Sequence, residues 1–200
     1  MKTPKTLGGV IYIVGLYGAG KTTMVNAALD ALPSLRNVPC FITRPPRPGE
    51  DDPRYECYFV TNEEYKKLRS QSKAWDHTEI MGISYGTDAE GVNKAIEQGQ
   101  YFIVASPLNV VQLKEMQSYY IGNQCVIYID TSEQVAERHL LERDGESAEN
   151  KIGHNRELRI EAQEARLNAD ITFKPSLSLH RDSHEFVSLI RNIIKRLKKD

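Results

Sequence analysis

The 200-residue sequence predicts an α/β protein, a mostly parallel sheet with helices on both faces, plus a small inserted subdomain and a polar excursion. Three observations carry this reading. Short β-branched runs alternate with longer helical patterns along most of the chain. A cluster of small strands between residues 40 and 87 breaks that rhythm and marks an insertion. A polar, glycine-containing stretch at 144–155, DGESAENKIGHN, reads as a mobile excursion.

Each element follows from local chemistry. Residues 10–14, VIYIV, form a buried parallel strand. Residues 22–32 have helix composition, and Pro33 ends that helix. Residues 38–43 are a second strand. The segment 44–54, RPPRPGEDDPR, is rich in proline and charge and predicts an irregular exposed loop. Residues 57–60 read as a strand, and Thr61 with Glu64 forms a capping box for the helix after it. Residues 74–87 predict two short strands with a turn at Met81 and Gly82, and Asp88 caps a helix ending at Gly99. Strands at 101–106 and 125–130 flank a helix over about 109–119. Residues 133–143 and 157–167 are helical, 171–173 is a brief strand, and 182–197 is an amphipathic last helix.

Composition excludes several classes. Hydrophobic residues make up 40% and charged residues 26%, which suits a globular core. No apolar run reaches the roughly 18 residues of a membrane span, and no signal region opens the chain, so neither membrane nor secretion is expected. A net charge of −1 gives no bulk attraction to a nucleic-acid polymer. Cys40, Cys57 and Cys125 are widely spaced and odd in number, which predicts neither zinc nor a disulfide framework and places the chain in a reducing cytoplasm.

Residues 15–23, GLYGAGKTT, follow the first strand and supply the chemistry. Gly15-x-x-x-x-Gly20-Lys21-Thr22 has the P-loop form, and the fold class narrows to a P-loop NTPase fold. Gly15, Leu16, Tyr17, Gly18, Ala19 and Gly20 let successive N–H groups turn toward phosphate oxygens, and the next helix adds its positive end. Lys21 is a point charge for the β- and γ-phosphates of ATP. Thr22 offers a hydroxyl to Mg²⁺, and Thr23 completes the ATP-binding segment. The motif alone does not choose among a GTPase, an ATPase and a small-molecule kinase.

Beyond the loop, the chain resembles the guanylate kinase family of nucleoside monophosphate kinases. The matching segments are GLYGAGKTT, TRPPRPGE (43–50), YFVTNEEYKKL (58–68), GISYGT (82–87) and ERHLLERDGES (137–147), spanning about residues 10 to 170. The resemblance implies ATP-dependent phosphorylation of GMP with Mg²⁺. It also implies a core (1–39, 89–137 and 159–200), an acceptor-binding insertion (40–88) and a lid (138–158). By the same resemblance, Arg44 and Arg47 grip the acceptor phosphate, Tyr85 touches it, and lid arginines from Arg143, Arg138 and Arg156 assist transfer. Guanidinium forks on a proline-stiffened loop suit a phosphate better than lysine does. Glu50 either orients Arg47 or faces solvent.

Departures from the family pattern fall where the acceptor base would be read. Cys40 replaces a serine, Asp76 replaces a glutamate and keeps its carboxylate, and Cys57 replaces a tyrosine. Thr87 stands where a guanine-contacting hydroxyl is expected. The family's D-x-D pair falls on Ala105 and Pro107, and an adenine-side asparagine is replaced around Lys174–Pro175. Asp130 is a magnesium- or adenine-side residue, or the cap of the next helix. The expected reaction is phosphoryl transfer to a nucleoside monophosphate. Two alternatives stay open: another phosphorylated acceptor such as a sugar phosphate, or a binding module with little or no catalysis. The final helix is either a homodimer surface or a packing element.

Overall fold

The computed structural model describes residues 7–46, 52, 56–73, 75–105, 110–176 and 178–198, with the side chains of 146, 147 and 179 left aside. Its centre is a five-stranded, all-parallel sheet of β1 (Gly9–Val14), β2 (Leu35–Asn37), β7 (Tyr101–Ala105), β8 (Asn123–Ile129) and β9 (Ile171–Phe173), in the order β2-β7-β1-β8-β9. β1 is buried along its whole length. Helices cover both faces, which is why its sequence is a continuous apolar run and not an alternating one. Around the sheet pack α1 (Lys21–Ala31), α3 (Ala89–Ile96), α4 (Val110–Tyr119), α5 (Glu133–Asp144), α7 (Arg159–Asn168) and α8 (Leu179–Leu197). α8 buries Phe186, Val187, Ile190, Ile193 and Ile194, one helical stripe, and packs on α1. Asp182 fixes its start by accepting from Ser176 N–H and Oγ at 2.7 and 2.6 Å.

A second sheet is built entirely from the chain between β2 and α3. β3 (Cys40–Ile42), β4 (Cys57–Phe59), β5 (Trp75–Ile80) and β6 (Ile83–Asp88) take the order β4-β3-β6-β5, with α2 (Asn62–Gln71) alongside. Side-chain alternation gives this sheet two different faces. Phe41, Tyr58 and Trp75 stack on one face, at 5.2 Å from Phe41 to Tyr58 and 5.4 Å from Phe41 to Trp75, and Tyr65 of α2 meets Trp75 edge-on. Gly86 is required here: a Cβ would lie 2.4 Å from both Trp75 Nε1 and Tyr65 Oη. The other face carries Cys40, Asp76, Tyr85 and Thr87.

Several expected details change. β2 was not expected from the sequence; it is a three-residue edge strand in which exposed Arg36 interrupts the apolar pattern. The single strand expected at 38–43 is divided between sheets, because Val38 N–H donates to Ile103 O of β7 at 3.1 Å while Cys40 begins β3. The excursion expected at 144–155 is instead a 3₁₀ turn (Gly145–Ala148) followed by α6 (Glu149–Glu157). Leu140, Ala148 and Ile152 form a small apolar cluster beneath it, with Tyr17 packed against them. Among the described residues all three cysteines are free, and no helix is long and apolar enough to cross a membrane.

Candidate active site

The turn from β1 into α1 directs its carbonyls toward protein. Five successive carbonyl oxygens have donors. Lys21 Nζ donates to Gly15 O at 2.8 Å and to Leu16 O at 2.9 Å. Asn155 Nδ2 donates to Tyr17 O at 2.9 Å. His139 Nδ1 stands 3.0 Å from Gly18 O, and Thr131 Oγ1 donates to Ala19 O at 3.2 Å. Two loop amides are also taken within the protein, Ala19 N–H by Leu16 O at 3.1 Å and Tyr17 N–H by Asn155 Oδ1 at 2.9 Å, and the other amides make up the donor surface the loop offers an anion. The first rung of α1 is Met24 N–H to Gly20 O, so the N–H groups of Gly20 to Thr23 precede the helix ladder and add to that surface. α5 presses on the loop from outside: a Cβ on Gly18, whose φ is +82°, would lie 2.2 Å from Ala136 O.

Lys21 sits inside this turn, with its ammonium 5.5 Å from the centre of the Tyr17 ring. Burial, followed by the positive charge of Arg143, pushes its pKa down to about 8. Arg143, in the last turn of α5, is therefore near enough to act on the loop. Its Nε and Nη2 donate to the two oxygens of Asp144 at 2.8 and 2.7 Å, and Lys151 reaches the same carboxylate at 2.6 Å. These bonds, Arg143's foremost, hold the Asp144 carboxyl well below the usual carboxylate range. Thr22 is exposed at the mouth of the turn. Among the described residues no group of three or more His, Cys, Asp or Glu could hold a metal, and the Thr22 hydroxyl is a single oxygen donor. That fits Mg²⁺, which keeps most of its waters and takes phosphate oxygens.

The polar face of the second sheet meets the core sheet beside β1. Asp76 pairs in register with Thr87, and the Phe41–Gly86 pairing brings Cys40 alongside. Asp76 is only 6% exposed and accepts from Tyr120 Oη, just past α4, at 3.1 Å. Burial pushes its carboxyl up to about 6, with the Tyr120 bond opposing. Tyr12 of β1 is fully buried, and its hydroxyl has no partner among the described residues; the same holds for Thr87 Oγ1. Burial and then the Asp76 charge raise the Tyr12 phenol. Cys40 is pushed up to about 12, mainly by burial, and stays a thiol. Arg44 lies at the edge of this region, donating from Nη1 to Pro45 O at 2.9 Å with its guanidinium 5.5 Å from the Phe59 ring centre.

A family model described as guanylate kinase matches residues 8–173. The chain belongs to the guanylate kinase family. The guanylate kinase of Thiobacillus denitrificans is 36% identical over 99 residues, a match covering 49% of this chain and only 47% of that relative. The guanylate kinase of Alkalilimnicola ehrlichii is 30% identical over 142 residues, 70% of this chain and 68% of the relative. A crystal structure of guanylate kinase from Anaplasma phagocytophilum has the same fold, with a TM-score of 0.68 at 18% identity, over 98% of this chain and 89% of the other.

In this member of the guanylate kinase family, the fold brings Gly15 to Thr23 and Arg143 to one place, and Cys40, Asp76 and Thr87 to another. Tyr85 lies two residues along from Thr87 on the same face. Arg156 engages Glu137 at 3.2 Å, and Arg138 lies 3.8 Å from Glu142, both on the solvent side. Arg47, Glu50 and Pro107 lie outside the described residues. Ala105 ends β7, exposed, in register with Ile13. Asp130 is held by Arg166 at 3.2 Å and Lys174 at 3.7 Å, and Ser132, not Asp130, caps α5. His139 and His154 contact the phosphate loop: His139 Nδ1 stands 3.0 Å from Gly18 O, and the His154 ring lies tilted 5.7 Å from the Tyr17 ring. Sequence reasoning missed Tyr12, Tyr120, Thr131 and Asn155. Tyr12 carried one signal, a phenol amid aliphatic residues in a buried strand; the others carried none.

Proposed function

We propose that this chain transfers the terminal phosphoryl group of ATP to a nucleoside monophosphate, GMP or dGMP foremost. The observation that carries the acceptor is Asp76, a buried carboxylate beside β1, the strand whose carboxyl end becomes the phosphate loop. An ionised carboxylate accepts from adjacent N–H groups such as guanine N1–H and N2–H. The two named relatives are themselves guanylate kinases. Phosphoryl transfer asks for charge neutralisation and alignment more than covalent chemistry. Lys21 and the amides of Gly18 and of Gly20 to Thr23 would hold the ATP phosphates, and Arg143 would add charge beside Lys21. Thr22 would ligate Mg²⁺, which neutralises charge between the phosphates when bound. Arg44 and Arg47 would hold the acceptor phosphate, with Tyr85 beside them.

A second acceptor class is favoured by one observation: Cys40 and Ala105 place no strong hydrogen-bonding side chain where the family reads the base. The test is ADP release with Mg²⁺ and ATP against a panel of nucleoside monophosphates and sugar phosphates. Turnover with GMP or dGMP is expected. Release only with a sugar phosphate would move the assignment to the second class, and ATP binding without release to any acceptor would reduce the chain to a nucleotide-binding module.

A further inference from the structure

Tyr17 stands in the phosphate loop but is held by a different part of the chain. Asn155 of α6 accepts from Tyr17 N–H at 2.9 Å and donates from Nδ2 to Tyr17 O at 2.9 Å. The side-chain amide thus closes a two-bond ring with one residue's backbone, 138 positions away. Asn155 is 2% exposed, so water does not compete for these bonds. The contacts around it are consistent. The His154 ring lies tilted 5.7 Å from the Tyr17 ring, and Ile152 packs in the cluster that Tyr17 touches. The Lys21 ammonium lies 5.5 Å from the centre of the same ring.

We infer that Asn155 is a positioning residue of the phosphate loop, fixing the Tyr17 peptide and through it the Lys21 ammonium and the neighbouring amides. The reason is geometric. Of the five loop carbonyls with side-chain donors, Tyr17's belongs to the one residue whose N–H is taken by the same side chain. Rotation of that residue's backbone breaks both bonds at once. An amide is the side chain that can serve both groups, since it carries an acceptor and donors on one planar end. Asn155 also ties α6, within the segment 138–158, to the loop; reorganisation of that segment during turnover would then move the loop or break the pair.

This inference rests on the reading of residues 15–23 as an ATP-binding loop, and its test does not need the acceptor. MgATP affinity is measured by calorimetry for the wild type, Asn155→Ala and Ile152→Ala. Asn155→Ala is expected to raise the Kd for ATP about tenfold or more, because loop preorganisation is lost. Ile152→Ala removes packing from the same helix and is expected to lower the melting temperature while leaving the ATP Kd within about twofold. Amide exchange gives a readout without any variant: Tyr17 N–H in the wild type should be as protected as the amides of β1. Fast exchange at Tyr17, an unchanged Kd in Asn155→Ala, or equal weakening by Ile152→Ala would overturn the inference. A wild-type chain that binds no ATP would overturn the functional reading as well.

Discussion

On the proposed reading of Asp76 as an acceptor-binding group, acceptor binding should be pH-sensitive. Its carboxyl stands at about 6, raised by burial, so acceptor recognition through the ionised form should fail in mildly acidic solution. The expected result is a kcat/KM for GMP that falls about tenfold per pH unit below 6, and a profile flat through that range would exclude an ionised Asp76 from recognition. The stability consequence has the opposite direction. A raised folded pKa gives stability that is present below the unfolded value near 3.8 and lost as pH rises through about 6. Relative to wild type, Asp76→Asn should therefore gain about 3 kcal/mol between pH 3.5 and pH 7.5, read from denaturant midpoints. At this scale Lys21 was legible because its role follows from a local pattern of glycines, lysine and hydroxyls. Asn155 was not: its partner is 138 residues away, and its neighbours are ordinary polar residues.

Elements with strong local signals formed as the sequence indicated. Thr61 Oγ1 accepts from Glu64 N–H, and the Glu64 carboxylate accepts from Thr61 N–H, the reciprocal cap that the spacing predicts. Met81 and Gly82 both take positive φ, 53° and 74°, which suits the tight turn between β5 and β6. α6 lacked such a signal because it buries only Ile152 and Asn155 and so shows no apolar stripe. Packing against Tyr17 and α5, not propensity, makes it a helix. Gly86 is the element-scale test of the second sheet. Gly86→Ala drives a methyl into Trp75 Nε1 and Tyr65 Oη, and its backbone neighbour Asp76 O is only 2.6 Å away. We expect a loss of about 2–3 kcal/mol, measured by chemical denaturation, since overpacking there must displace the aromatic face. An Ala variant as stable as the wild type would mean that the sheet and α2 yield freely.

A buried hydrogen bond ties the second sheet to the core: Tyr120, after α4, donates to Asp76, whose charge also raises the Tyr12 phenol of β1. Tyr120→Phe should raise the acceptor KM roughly ten- to a hundredfold, because a buried bond to a charged group contributes about 1.5–3 kcal/mol. The Kd for ATP should stay within about twofold, since the phosphate loop is held by other residues. Equal losses for both ligands would show that Tyr120 supports the core and not the acceptor pocket. By itself the sequence determined the parallel core, the inserted strands and the loop chemistry, because hydrophobic period, caps and the glycine–lysine spacing act over a few residues. Tertiary structure alone decided which buried groups meet: Asp76 with Tyr120, and Tyr17 with Asn155. Those contacts join distant segments, and only the packing of strands and helices fixes their distances.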